Sequence, residues 1–176
     1  WLGWTSVTVV STIDAVAGSF SISLTELWPG ITAPRAIKPG EPCVLSFDGT
    51  PVITGYIDAV SPFYTATEHA ITIEGRDKTG DLVDCSAYEG QWANIELVKL
   101  VEQIASPFGI SVVSEVQGLP LVTQFKINPG ETAWHALDRA LKAAGVLGMS
   151  DGKGNLVITR AKTSSAAPIA VILGSI

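Results

Sequence analysis

The sequence predicts an α+β, mainly β protein: a small antiparallel β-barrel or sandwich first, then a mixed α/β segment. Three observations predict it. Apolar and polar residues alternate in several short runs before residue 75, the period of half-buried strands. Turns containing Gly or Pro separate those runs. After Asn94 the apolar spacing lengthens, twice, to that of an amphipathic helix.

Taken in order, Val7 to Ile13 is rich in β-branched residues and reads as a first strand. Ser19-Phe20-Ser21-Ile22-Ser23-Leu24-Thr25 alternates without a break and reads as the second. Trp28-Pro29-Gly30 and Lys38-Pro39-Gly40 bracket a loop. Cys43, Leu45 and Phe47 alternate with Val44, Ser46 and Asp48 in a third strand. The turn Asp48-Gly49-Thr50-Pro51 leads back through Val52 to Val60, which makes a hairpin. Ile71 and Ile73 mark a fifth strand between Ala70 and Glu74. Five such strands make a small antiparallel barrel or sandwich.

In the second half, Asn94 is placed to cap a helix. Leu97, Val98, Val101, Ile104 and Ala105 follow at helical spacing until Pro107 and Gly109 stop it. Ile110 to Val113 and Thr123 to Asn128 read as strands. Thr132 caps a second helix with Trp134, Leu137, Leu141 and Ala144 on one face, and Gly145 ends it. Val146 to Met149 and Leu156 to Thr159 form a hairpin around Asp151-Gly152-Lys153-Gly154. Thr163 to Pro168 is a connector, and Ala170 to Ile176 reads as a strand cut in mid-course. The chain opens at Trp1, so a fragment of a longer protein is expected.

Composition excludes several function classes. Hydrophobic residues make up 47% of the chain, charged residues only 16%, and the net charge is −6. An acidic, lightly charged chain is not built to neutralise phosphates, so nucleic-acid recognition is not expected. The longest apolar stretch, Ala166 to Leu173, contains Pro168 and falls far short of a membrane span. The surplus apolar surface is expected at contacts with other chains or with the rest of this one.

Candidate chemistry is sparse. Cys43 and Cys85 cannot build a disulfide scaffold or a four-ligand zinc site, and two reduced, buried thiols are the plainer reading, with a single bridge left open. His135 and Asp138 share a helical face, which could suit a metal or acid/base pair, but the plainer reading is a partly exposed face beside Trp134. Asp77, Asp81 and Asp84 form a carboxylate group without EF-hand spacing, and are expected to serve turns and to pair with Arg76 or Lys78. Glu26, Glu41 and Glu131 are unplaced carboxylates. No phosphate-binding glycine loop or nucleophile elbow occurs. Catalytic residues, cofactors and metals are therefore assigned none. Among the five tryptophans, Trp134 reads as a core anchor, whereas Trp28 and Trp92, with Tyr56, are interface candidates.

Several motifs together carry a family resemblance. They are Val16-Ala17-Gly18-Ser19-Phe20 followed by Trp28-Pro29-Gly30, then Val52-Ile53-Thr54-Gly55-Tyr56-Ile57-Asp58, then Ile73-Glu74-Gly75-Arg76-Asp77-Lys78-Thr79-Gly80-Asp81-Leu82-Val83-Asp84-Cys85-Ser86. Pro107-Phe108-Gly109-Ile110 and Gly130-Glu131-Thr132-Ala133-Trp134 complete the set. The chain resembles the baseplate hub proteins of Mu-type contractile phages, also called tail protein P and related to the late control protein D group. The resemblance implies a structural virion protein, assembled in the host cytoplasm, with no enzymatic activity. It implies two small β-barrels per subunit around an α/β insert, and a homotrimeric ring. One face of that ring would meet the tail tube and the other the central spike, with further baseplate proteins around it. On this view residues 1–88 form the first barrel, 89–162 the insert, and 163–176 a connector and the first strand of a second barrel.

Within that picture Gly55 lets a barrel strand bend. Gly75 and Gly80 frame the exit from the barrel, and Arg76 is expected to bridge Asp77, Asp81 or Asp84 as a rigid elbow, so that Arg76→Ala loosens the joint. A second reading comes from Gly130 to Trp134, which looks like the opening of a LysM module that binds N-acetylglucosamine polymers. LysM units run βααβ, and here one helix precedes a hairpin.

Overall fold

The computed structural model describes residues 4–25, 37–65 and 69–161. Trp1, Glu26, Trp28, the connector and the strand expected at 170–176 lie outside the described residues.

The first layer is a five-stranded antiparallel sheet of β1 (Trp4–Val10), β2 (Ser19–Thr25), β3 (Pro42–Phe47), β4 (Thr50–Tyr64) and β5 (His69–Asp77), in the order β1-β2-β5-β4-β3. Register shifts interrupt the ladders at Trp4/Ser6, Leu45/Ser46 and Ile57/Ala59. Such bulges add local twist, and the sheet curls into a half-barrel. Its concave core is Phe20, Leu24, Ile53, Ile57 and Ile73, delivered from alternate positions as the period-two pattern requires. The β3–β4 turn is tighter than expected. Asp48 and Gly49 both have positive φ, 49° and 74°, the two-residue turn that matches strand twist. Thr50 and Pro51 therefore belong to β4, which runs for 15 residues.

The second layer begins with a 3₁₀ turn, Lys78–Gly80, and the single helical turn α1 (Asp81–Asp84). Then follow β6 (Gln91–Glu96), α2 (Leu97–Ala105), β7 (Val112–Ser114), β8 (Leu121–Lys126), α3 (Ala133–Ala143), β9 (Leu147–Ser150) and β10 (Leu156–Thr159). β7 lies parallel to β10, β9 antiparallel to it, and β6 pairs separately with β8. The core packs Leu97, Leu100, Val101 and Ile104 of α2 against Ala136, Leu137, Ala140 and Leu141 of α3, over Leu156 and Ile158 of β10. Leu82 of α1 is fully buried in this second core. The chain thus reaches the second core at Leu82, directly after the 3₁₀ turn.

Two local expectations are corrected. Asn94 does not cap α2. It sits inside β6 with φ 52°, a left-handed geometry that asparagine tolerates, and Glu96 takes the N-cap position without a side-chain bond. Cys85 is exposed rather than buried, although both cysteines are free thiols. Cys43 is half-buried, and burial raises its thiol pKa. Thr132, by contrast, caps α3 as expected, its Oγ1 accepting from the His135 amide at 3.2 Å. Trp134 packs half-buried on the core rim, where its ring faces Gly148.

Candidate functional site at the joint between the layers

Strand β5 reaches the joint at Gly75 and Arg76. The backbones of β4 and β5 approach so closely here that side chains are excluded. A Cβ on Gly55 would lie 1.9 Å from the Arg76 carbonyl oxygen, and one on Gly75 would lie 2.4 Å from the Tyr56 carbonyl oxygen. Gly55 therefore serves close approach of two strands. Gly80 differs: a Cβ there would meet nothing nearer than 3.8 Å.

Arg76 bridges two carboxylates. Its Nε lies 2.7 Å from Asp58 Oδ2 and its Nη2 2.7 Å from Asp84 Oδ2. Of the three expected partners only Asp84 is engaged, and Asp58 of β4 joins instead. These hydrogen bonds push the guanidinium pKa up, and all three side chains remain partly open to solvent. Burial raises the carboxyl pKa of Asp81.

Asp77 plays a different part, buried at 3% exposure. Its Oδ1 accepts from the Thr79 amide at 3.2 Å and lies 3.3 Å from Thr79 Oγ1. Its Oδ2 accepts from Ser150 Oγ, at the end of β9, at 2.8 Å. Ser150 Oγ in turn accepts from the Gly152 amide at 3.1 Å, and the Ser150 amide donates to the Val16 carbonyl at 3.2 Å. Thr79 Oγ1 donates to that same carbonyl at 3.0 Å. Val16 precedes β2 in sequence, yet its side chain is buried in the second core. Lys78 Nζ donates to the Gly109 carbonyl at 2.6 Å.

The remaining candidates are dispersed. Asp138 pairs with Lys142 at 2.6 Å, and the exposed His135 offers its backbone amide to the Thr132 cap. Glu131 is held by Arg139 at 2.9 Å and accepts from the Asn128 amide, contacts that lower its pKa against burial. The Arg139 guanidinium also lies over the Phe125 ring at 4.4 Å. Among the described residues, no group of three or more His, Cys, Asp or Glu is placed to hold a metal. Also among them, no helix is long and apolar enough to cross a membrane. Tyr56 is exposed on β4, whereas Trp92 is half-buried, packed on Phe125, with its indole N–H donated to Gln103.

Strand β1 presents an open surface. All seven of its residues are exposed and none is charged, with Trp4, Val7, Val9 and Val10 among the large side chains on view. Among the described residues it pairs on one side only, with β2.

Two family models match the chain. The Mu phage baseplate assembly protein GpP-like N-terminal model covers residues 1–77, and the baseplate hub protein gp44-like second-domain model covers 79–160. The chain belongs to the Mu-type baseplate hub family. Baseplate hub protein gp44 of Escherichia phage Mu is 38% identical over 168 residues, which is 93% of this chain and 44% of that protein. This hub-family chain thus spans less than half the length of that relative. The 43 kDa tail protein of prophage MuSo2 from Shewanella oneidensis superposes with a TM-score of 0.82 at 36% identity, over 91% of this chain and 51% of that one. A tail protein from Neisseria meningitidis gives 0.78 at 27% identity, over 93% and 49%. The E. coli c3393 protein, a type VI secretion system component, gives 0.57 at 15% identity over 89% and 43%, a likeness of fold alone. The two matched segments of this hub-family chain meet between Asp77 and Thr79, the residues that make the buried contacts of the joint.

Proposed function

We propose that this chain supplies the first barrel and the α/β insert of a phage baseplate hub subunit. The role is structural rather than catalytic, in a homotrimeric ring that joins the tail tube to the central spike, within the virion tail and beside other baseplate proteins. Assembly takes place in the host cytoplasm. The observation that carries this reading is β1. An exposed strand edge without charge is a template for pairing, and monomeric proteins guard such edges with charges, prolines or covering segments. Among the described residues the edge is apolar and open, which suits a contact completed by a neighbouring subunit. Rings need heterologous contacts that close by rotation, and obligate contacts are large and apolar. Tyr56 is a second contact candidate in this reading.

Light-scattering mass of the full-length protein tests it. A trimer is expected, reduced to a folded monomer by Val9→Lys. A full-length parent that stays monomeric at assembly concentrations overturns the reading.

A further inference from the structure

The joint contains two kinds of tie. Arg76 ties β4, β5 and α1 through ion pairs at the surface, which water and salt screen. Asp77 and Thr79 together tie β5, the 3₁₀ turn, β9 and the approach to β2 through hydrogen bonds that are buried or, at Ser150, part-buried. A third contact stands beside them. The turn after β9 presses on β4, where Thr54 Oγ1 donates to the Gly152 carbonyl at 2.9 Å. Gly152 has φ 73°, and a Cβ on it would lie 2.7 Å from the Val52 carbonyl oxygen. Only glycine permits that approach.

We propose that Asp77, Thr79, Ser150 and the Gly152 turn form a clasp that positions the half-barrel against the α/β unit as one rigid body. In this clasp Arg76 is an accessory at the rim. The chemistry favours the buried tie. Both Asp77 oxygens are occupied, Oδ1 by the neighbouring Thr79 and Oδ2 by Ser150, 73 residues away, and Val16 crosses the joint to fill the second core. Breaking one of these bonds leaves a buried acceptor unsatisfied, whereas breaking an Arg76 pair leaves solvent to replace it. Ser150 is a positioning residue: it belongs to a short edge strand of the α/β unit, and its hydroxyl contributes to neither apolar core. The clasp does not depend on the assembly reading, since it concerns one chain alone.

The test uses the full-length protein with Cys43→Ser and Cys85→Ser, spin-labelled at Val44→Cys and Val113→Cys and diluted with unlabelled protein. Both label sites are exposed, one in each unit. The parent should give a narrow interspin distance distribution, and Arg76→Ala should keep it narrow. Ser150→Ala should broaden it, with amide exchange at Thr79 and Gly152 faster by on the order of tenfold while β2, β5 and α3 keep their protection. A narrow distribution in Ser150→Ala, or equal broadening in Arg76→Ala, overturns the clasp. If Ser150→Ala unfolds the chain, Thr54→Val is read by the same two measurements and decides: broadening supports the clasp, and a narrow distribution overturns it.

Discussion

Replacing Gly55 by alanine tests the close strand approach at the joint most directly. The added Cβ would sit 1.9 Å from the Arg76 carbonyl oxygen and 2.8 Å from the backbone of Asp77. Ordinary contact requires a retreat of about 1.5 Å, and the obstacles are backbone atoms of a paired strand, which cannot rotate aside. Overpacking of this kind costs about 1–3 kcal/mol. Separating β4 from β5 weakens at least one ladder hydrogen bond, for about 1 kcal/mol more. The expected loss is therefore about 2–4 kcal/mol, a fall in melting temperature on the order of 10 °C for a chain this size. Gly80→Ala is the control. Its Cβ would meet only ordinary contacts at 3.8 Å, and φ −57°, ψ −31° suits any residue. It should leave stability unchanged or raise it by about 0.4–1 kcal/mol through the unfolded chain. Thermal denaturation followed by circular dichroism reads both. If Gly55→Ala melts within about 2 °C of the parent, or Gly80→Ala is the more damaging, the steric reasoning is refuted.

Other expectations follow from single contacts. Thr132→Ala removes the α3 cap and should cost about 1 kcal/mol, or about 3 °C in melting temperature, with Thr132→Ser retaining most of it. Glu131 has a depressed pKa in the folded chain, so its contribution is present above the ordinary carboxylate range and is lost as pH falls through the folded value. Melting temperature plotted against pH should thus fall less steeply at acid pH in Glu131→Gln than in the parent, and parallel curves would count against the Arg139 pairing.

Much of the fold was legible because burial leaves a periodic trace. β2 is read to the residue, since one face of that strand is buried and the other is not. α3 is equally plain from Thr132 and the apolar stripe after it. β6 was not legible, for a physical reason. The left-handed backbone at Asn94 breaks the period, so its two inward residues, Trp92 and Ile95, stand three apart. Nor was α1, whose one buried anchor, Leu82, makes no pattern.

At the joint the sequence pointed to Arg76 and to Asp84 as one partner, and Asp58 was not among the partners it suggested. Gly75, Arg76 and Asp77 stand out by composition, and the family motif passes through them. By itself, then, the sequence determined most of the strands, the two longer helices and the family, because periodicity and motif are local properties. Only the tertiary structure decided that Arg76 works at the surface with Asp58 and Asp84, while Asp77 is buried against Ser150, 73 residues away. The partners of a buried carboxylate are set by which turns the fold brings alongside it, and Val16, Thr54, Ser150 and Gly152 carry no sign of that in their own neighbourhoods.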